Sequence, residues 1–257
     1  MNNKSLISIL CVLLLIFFIL LGLFISNAIN NSSSEQIPQA TSSTTSGEIP
    51  VDNPNVDDVI LPLTEDKGWE YIDKIYFVGD STTYHFHKGG VEKSHIFVPQ
   101  SLTLMLTSDI NNIIVGNKGL TIPEAIKDAD CEIVIITIGV NGADNFTETK
   151  YKTYYKKLID AIQEESPNTK IILQSVFPVT KDYSDAGHGI TNVGIDRLNI
   201  WAKEIAFEEG LRYLDTQSIL KDENGAQIEH YGENDGVHMN ADAYNAIIEY
   251  IKTHAVE

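Results

Sequence analysis

The feature that most constrains the fold of this 257-residue chain is a series of short apolar runs with helix-like stretches between them. The runs occupy residues 75–78, 113–115, 133–138, 171–173 and 213–214. Their apolar character is continuous rather than alternating, which is typical of strands buried on both faces of a parallel sheet. We therefore predict five parallel strands in the part of the chain that follows residue 60.

Three stretches between or after these runs carry apolar residues at helical spacing. They cover residues 151–162, 198–206 and 244–251, and Gly210 is placed as the stop signal of the second. Helices that alternate with parallel strands cover both faces of the sheet, so the sequence predicts an α/β domain with three layers, α/β/α. In such sheets, functional side chains gather beyond the carboxyl ends of the strands.

The first part of the chain differs from this domain. Residues 6–25 are mostly Leu, Ile, Val and Phe, and a helix of about 20 residues spans about 30 Å, the thickness of a bilayer core. Lys4 precedes this run and the next basic residue is Lys67, so the positive-inside rule predicts a cytoplasmic N-terminus with the remainder outside. We predict a single-pass membrane anchor in residues 1–26. The alternative is a cleaved signal peptide, which would give a secreted protein, because Ser26-Asn27-Ala28 resembles a cleavage site.

Composition sets further limits. Residues 27–59 are polar and rich in Ser and Thr, which predicts a disordered linker ahead of a domain at residues 60–257. The formal net charge of −18 argues against a nucleic-acid partner, which would need clustered Lys and Arg. The two cysteines, Cys11 and Cys131, fall in different predicted compartments, so we expect no disulfide framework and a buried Cys131. No obligate protein partner is evident in the sequence.

Polar motifs follow two of the predicted strands and precede the last helix. Ser81 follows the first strand in the sequence Gly79-Asp80-Ser81, Asn141 follows the third strand, and Asp235 and His238 share one short segment. A serine hydroxyl is a weak nucleophile that needs a base to take its proton and a third group to orient that base. Ser81, His238 and Asp235 can supply these three groups. The carboxamide of Asn141 and the backbone N–H of Ser81 can stabilise an oxyanion, and Asn240 is expected to cap the following helix.

At these positions the sequence resembles the SGNH hydrolases, also called the GDSL esterase/lipase superfamily. The resemblance extends from about Tyr71 to the C-terminus and rests on four blocks, at residues 77–81, 117–119, 139–141 and 235–238. It implies a flavodoxin-like sheet, hydrolysis without a metal or other cofactor, and an acyl-serine intermediate.

The resemblance also implies a role for each block. Ser81 would be the nucleophile and His238 the base, with Asp235 as its partner. Gly119 and Asn141 would be oxyanion donors together with the backbone of Ser81.

Two departures from the family pattern affect these assignments. The third block usually reads Gly-x-Asn-Asp, whereas Gly142 follows Asn141 here. The donor is retained, so the departure concerns the bracing of the loop rather than catalysis. The second block is poorly marked, and Gly116 competes with Gly119, which we favour because Asn117 stands two residues before it.

Other polar residues give weaker signals. His85 and His87 follow the nucleophile and could line a substrate pocket, but as a metal pair they lack a third ligand nearby. We therefore predict no metal site. His188 and Arg197 could border the cleft, although surface roles are the simpler interpretation.

The sequence thus predicts a membrane-anchored, extracytoplasmic serine esterase that acts on short acyl esters, with acetyl the first choice, of a carbohydrate or cell-wall glycan. The same three residues would serve an acyltransferase, a lipase or a thioesterase. A non-catalytic glycan-binding protein is a further alternative, which the complete set of Ser81, Asn141, Asp235 and His238 disfavours. Short acyl groups are favoured because polar loops, at residues 80–109 and 180–192, flank the predicted site.

Overall fold

The computed structural model of the protein describes residues 55–98, 113–115 and 118–256. The predicted membrane anchor, nearly all of the predicted linker, Cys11, Gly116 and Asn117 lie outside these residues. No helix within the described ranges is both long and apolar enough to cross a bilayer.

A five-stranded parallel sheet forms the centre of the domain. Its strands are β1 (Ile75–Gly79), β2 (Ile96–Phe97), β5 (Ile133–Thr137), β6 (Lys170–Gln174) and β7 (Arg212–Leu214), and their spatial order is β2-β1-β5-β6-β7. This order, 2-1-3-4-5 for the five strands, is the flavodoxin-like one. The predicted α/β class with a parallel five-stranded sheet is therefore confirmed.

One of the five predicted strands was assigned to the wrong sheet. β3 (Ile113–Val115) pairs antiparallel with β4 (Lys118–Leu120) in a separate two-stranded sheet, and only two residues connect them. The fifth place in the main sheet belongs to β2, in which Phe97 is 2% exposed and pairs with Val78. A short apolar run does not specify its strand partner, so the pattern alone could not distinguish these arrangements.

The helices pack against both faces of the main sheet. They are α1 (Gly68–Ile72), α2 (Ser81–Tyr84), α3 (Ile122–Asp128), α4 (Glu148–Glu165), α5 (Lys181–Asp185), α6 (Asn192–Glu208) and α7 (Ala241–Lys252). Apolar residues of α3, α4 and α6 form one core with Val78, Ile136 and Leu173 of the sheet. Those of α1 and α7 form a second core with Phe77 and Ile135. The side chains of alternate strand residues thus pack into opposite cores, which gives the predicted three layers.

The helical predictions are confirmed in detail. The stripes around Tyr151 and Leu198 lie on α4 and α6, and Gly210 adopts a φ of 66° just after α6. Cys131 is buried, as expected. The folded part begins slightly earlier than predicted, because a 3-10 helix at Val56–Val59 places Val59 in the first core.

Candidate active site

The turn that carries Ser81 is built into the end of strand β1. Gly79 is the last residue of the strand, Asp80 caps the helix that follows, and Ser81 is the first residue of α2. A Cβ atom at Gly79 would lie 1.8 Å from the Thr83 hydroxyl oxygen and 2.3 Å from the Thr137 carbonyl oxygen. Only glycine fits this close approach, which sets Ser81 at the carboxyl edge of the sheet.

Asp80 joins this turn to the loop that carries Asn141. Its carboxyl group is only 3% exposed. One oxygen accepts hydrogen bonds from the backbone N–H and the hydroxyl of Thr82, at 3.1 and 2.7 Å. The other accepts the backbone N–H groups of Gly139 and Val140, at 3.3 and 3.2 Å. Burial raises the pKa of Asp80, and these four hydrogen bonds oppose the rise.

The predicted base and its partner meet the serine at this edge. The Nε2 atom of His238 lies 3.0 Å from the Oγ atom of Ser81, and its Nδ1 atom lies 2.6 Å from Oδ2 of Asp235. Oδ1 of Asp235 accepts the backbone N–H groups of Val237 and His238, both at 2.9 Å. Desolvation opposes ionisation, but the hydrogen bonds from His238 and Val237 prevail and lower the pKa of Asp235 to about 2. An ionised Asp235 can orient the imidazole and stabilise its charged form.

Short backbone contacts hold the loop that carries Asp235 and His238. The carbonyl of Gly236, whose φ is 76°, accepts the backbone N–H of Thr180 at 2.9 Å. Asn240 caps α7 by accepting the N–H groups of Asp242 and Ala243, which confirms that prediction. One turn further along α7, the hydroxyl of Tyr244 donates to the carbonyl of Thr82 at 2.6 Å. Helix α7 thereby contacts both the base loop and the nucleophile turn.

Asn141 lies in a 3-10 helix, Val140–Gly142, that follows β5. Its side chain is exposed, and its carboxamide has no hydrogen-bond partner within the part of the chain that the structure describes. The departure at Gly142 has a local cause, because a Cβ atom there would lie 2.2 Å from the Phe146 ring. Arg197 braces the same loop by donating to the carbonyl of Ala143 at 2.9 Å. The bracing therefore survives without the usual aspartate.

The oxyanion role of Gly119 stays a prediction. Gly119 lies in β4, where it pairs with Ile114, and it is exposed. Its competitor Gly116 lies outside the described residues. The structure therefore brings together Ser81, Asp235 and His238, and ties the Asn141 loop to the serine turn through Asp80.

Among the weaker candidates, His85 lies beside the base and Arg197 lies beside the Asn141 loop. The ring of His85 stands edge-on to that of His238, with 5.0 Å between centroids. Partial burial lowers the pKa of His85 to about 4, and the nearby positive charge of Lys88 adds to this effect, so His85 is neutral at neutral pH. Arg197 contacts the Asn141 loop and the Trp201 ring. Within the described residues, no group of three or more His, Cys, Asp or Glu side chains is arranged to hold a metal ion.

A cleft of about 620 Å³ opens beside the loop that carries Asp235. Asn234, Asp235 and Gly236 form one side, and the segment around α5, including Tyr183 and His188, forms another. His188 thus lines this cleft, although a surface role was the simpler interpretation of its sequence position.

Comparison with known proteins identifies the family. A family model described as the GDSL-like lipase/acylhydrolase family matches residues 77–246, which is more than half of the chain. The chain belongs to this family. It is an SGNH/GDSL hydrolase, and the matched span contains Ser81, Asp235 and His238. A search of curated protein sequences found no relative.

Solved structures share the fold of this SGNH/GDSL hydrolase. A GDSL-like lipase from Bacteroides thetaiotaomicron is 16% identical, with a TM-score of 0.50, and the match covers 75% of this chain and 89% of that one. A candidate acylhydrolase from Bacteroides fragilis is also 16% identical with a TM-score of 0.50, over 77% of this chain and 91% of the other. At this identity the likeness concerns the fold alone.

Several residues around the site were not found from the sequence. No role was predicted for Asp80, although its carboxyl group links two loops 59 residues apart. Gln227 borders the cleft and carried no motif. A polar residue directly after an apolar strand was the only available signal for Asp80, and Gln227 offered none.

Proposed function

We propose that this SGNH/GDSL hydrolase is an extracytoplasmic serine esterase that removes short acyl groups, with acetyl the first choice, from a hydroxylated carbohydrate. The observation that carries the catalytic part is the chain of contacts from Ser81 Oγ to His238 Nε2 at 3.0 Å and from His238 Nδ1 to Asp235 at 2.6 Å. This is the arrangement that activates a serine nucleophile.

The reaction follows from the contacts. His238 takes the proton of the Ser81 hydroxyl while the oxygen attacks the ester carbonyl, and Asp235 stabilises the imidazolium that forms. The negative charge on the carbonyl oxygen is met by the backbone N–H of Ser81 and the exposed carboxamide of Asn141. His238 then donates the proton to the departing alcohol, which leaves an acyl-serine. Water, deprotonated by His238, attacks the acyl-serine and releases the acid and free Ser81.

A polar alcohol portion is supported by the surroundings of the base. The cleft beside Asp235 is lined mainly by polar and charged side chains, among them Asp182, Gln227 and Glu229. Lipid tails gain affinity from apolar walls, at about 0.8 kcal/mol for each buried methylene group, whereas sugars need hydrogen-bonding groups. The lining therefore favours a hydroxylated substrate.

The nucleophile is tested with a fluorophosphonate probe and 4-nitrophenyl acetate on the purified full chain. Ser81→Ala is expected to abolish labelling and to lower kcat by about 10⁶-fold, because the covalent intermediate cannot form. Ser218→Ala is the matched control, since Ser218 is an exposed serine whose hydroxyl donates to the Asp215 carbonyl, away from the site. Labelling that persists in Ser81→Ala would disprove the assignment.

The acyl group is tested with 4-nitrophenyl esters from acetate to palmitate. We expect kcat/KM to be highest for acetate and to fall as the chain lengthens beyond the pocket. A maximum at about eight carbons or more would favour a lipase or thioesterase, in which each added methylene improves binding. Acetylation of an added sugar acceptor, in place of hydrolysis, would favour an acyltransferase.

We propose that the catalytic domain lies outside the cell on the strength of the apolar run at residues 6–25 and its single preceding lysine. Protease added to intact cells is expected to release an active fragment by cutting within residues 27–54. Full protection until the cells are lysed would contradict this orientation.

A further inference from the structure

The cleft beside Asp235 has a marked imbalance of charge. Four carboxyl groups line it, those of Asp182, Asp222, Glu229 and Asp235. Lys181 is the only lysine or arginine among the lining residues of the described chain, and its ammonium group pairs with Asp185. His188 lies against the Tyr183 ring, with 5.3 Å between centroids. An anion that entered this cleft would meet excess negative charge.

An independent observation indicates that the cleft is made for a polar ligand. Gln227 lines it and is only 3% exposed, yet neither the oxygen nor the nitrogen of its carboxamide has a hydrogen-bond partner in the described structure. Buried carboxamides are normally satisfied, so this one has an unused acceptor and unused donors. Both atoms are covered by neighbouring protein atoms, so a rotation of the side chain would bring them to a ligand that offers both a donor and an acceptor. A hydroxyl group of a sugar offers both.

The position of the cleft relates it to one half of the substrate. In ester cleavage His238 returns its proton to the departing alcohol, so the alcohol oxygen must come within reach of Nε2 of His238 on the base loop. That loop contributes Asn234, Asp235 and Gly236 to the cleft. The exposed ring of His188 and the half-buried ring of Tyr183 offer an apolar surface suited to the C–H face of a pyranose.

We propose that this cleft is the subsite for the alcohol portion of the ester, and that it selects an uncharged or cationic sugar over an anionic one. The selectivity rests on the proposed esterase function and adds to it the charge class of the substrate. Gln227 is a specificity residue in this scheme, and Asp182 and Glu229 repel carboxylated or phosphorylated sugars.

The test uses three pyranosides acetylated at the same hydroxyl group: a neutral glucoside, a 2-amino glucoside and a glucuronide. For the full-length protein, kcat/KM is expected to be at least about tenfold higher for the first two than for the glucuronide, which corresponds to one unfavourable polar interaction. The double variant with Asp182→Asn and Glu229→Gln should lose most of this difference.

Gln227→Leu separates binding from chemistry. It should raise KM for the neutral glucoside about tenfold with little change in kcat. The resulting loss in kcat/KM should be larger for the glucoside than for 4-nitrophenyl acetate. Gln217→Leu is the matched control, because Gln217 lines a different cavity, of about 200 Å³, and should leave KM unchanged. An unchanged KM in Gln227→Leu, or equal kcat/KM for all three sugars, would overturn the cleft assignment.

Binding without turnover distinguishes this inference from the proposed function. Ser81→Ala is titrated calorimetrically with the same three esters, and tighter binding of the neutral and amino sugars supports the cleft. If the wild-type protein hydrolyses none of the esters but Ser81→Ala retains this order of affinity, the proposed function fails and the cleft assignment stands. If Ser81→Ala binds all three alike while the wild type hydrolyses them, only the cleft assignment fails.

Discussion

Asp80 and Asp235 both orient parts of the site, but the two carboxyl groups lie in opposite surroundings. Asp80 is 3% exposed and receives hydrogen bonds from two segments of the chain, whereas the side chain of Asp235 is 53% exposed and receives them from His238 and Val237 within its own loop. The serine side of the site is therefore part of the core. The base side is a surface loop whose hydrogen bonds to Asp235 come from the same loop.

This difference separates stability from catalysis. Removal of an acceptor from a buried network leaves unpaired N–H groups that water cannot reach, so it destabilises the fold. Loss of an exposed carboxylate can be compensated by solvent, so its main effect should be on the reaction. Three measurements can break or sharpen this contrast.

The largest expected effect is on turnover. His238→Ala should lower kcat on 4-nitrophenyl acetate by about 10⁶-fold, and Asp235→Ala by about 10⁴-fold, because the imidazole can still act, less well, without its orienting partner. Both variants should unfold at nearly the wild-type temperature, since neither side chain belongs to the core. Steady-state kinetics and thermal unfolding would check this. A large drop in melting temperature for Asp235→Ala would mean that the base loop is not an independent surface element.

The second-largest expected effect is on the free energy of unfolding, and a matched pair of isosteric substitutions measures it. Asp80→Asn should lower the free energy of unfolding by about 1–3 kcal/mol, because an amide cannot accept hydrogen bonds at both of its terminal atoms. Asp235→Asn should lower it by less than about 1 kcal/mol. Urea unfolding followed by circular dichroism measures both values. Equal losses of unfolding free energy in the two variants would contradict the difference between the buried Asp80 and the exposed Asp235.

The smallest effect concerns acid stability. The pKa of Asp235 is lowered to about 2, so its favourable contribution is fully present above the ordinary aspartate pKa and is lost as pH falls towards 2. The difference in stability between the wild type and Asp235→Asn should therefore shrink between about pH 4 and pH 2. Unfolding curves across this range would show it. A difference that does not change with pH would contradict an ionised Asp235 in the folded protein.

The sequence was sufficient for those parts of the site that depend on neighbouring residues. Asp235 and His238 are three residues apart, and Ser81 follows a strand that ends at a glycine, so both signals are local. Contacts between distant segments were not visible. The carboxyl group of Asp80, for example, accepts the backbone N–H of Gly139, 59 residues away, and the sequence does not show this contact.

The misassigned strand shows the same limit in the fold. Ile113–Val115 has the apolar character of a central strand, but Gly116-Asn117 is a two-residue connection typical of a hairpin and was a signal that favoured antiparallel pairing. β2 has only two residues, Ile96 and Phe97, too few to show any period. Its place in the sheet depends on the burial of Phe97 beside Val78, which is a tertiary contact.

Helix α7 has a consequence for the timing of activity during folding. The cap of this helix positions His238, and its Tyr244 holds the nucleophile turn. The contact of His238 with Ser81 spans 157 positions of the chain, and that of Tyr244 with Thr82 spans 162. Contacts of such long range form late, after the entropy of closing the intervening chain has been overcome. A newly made molecule should therefore remain inert while its sheet assembles and gain hydrolytic power in a single step, when α7 docks against the nucleophile turn.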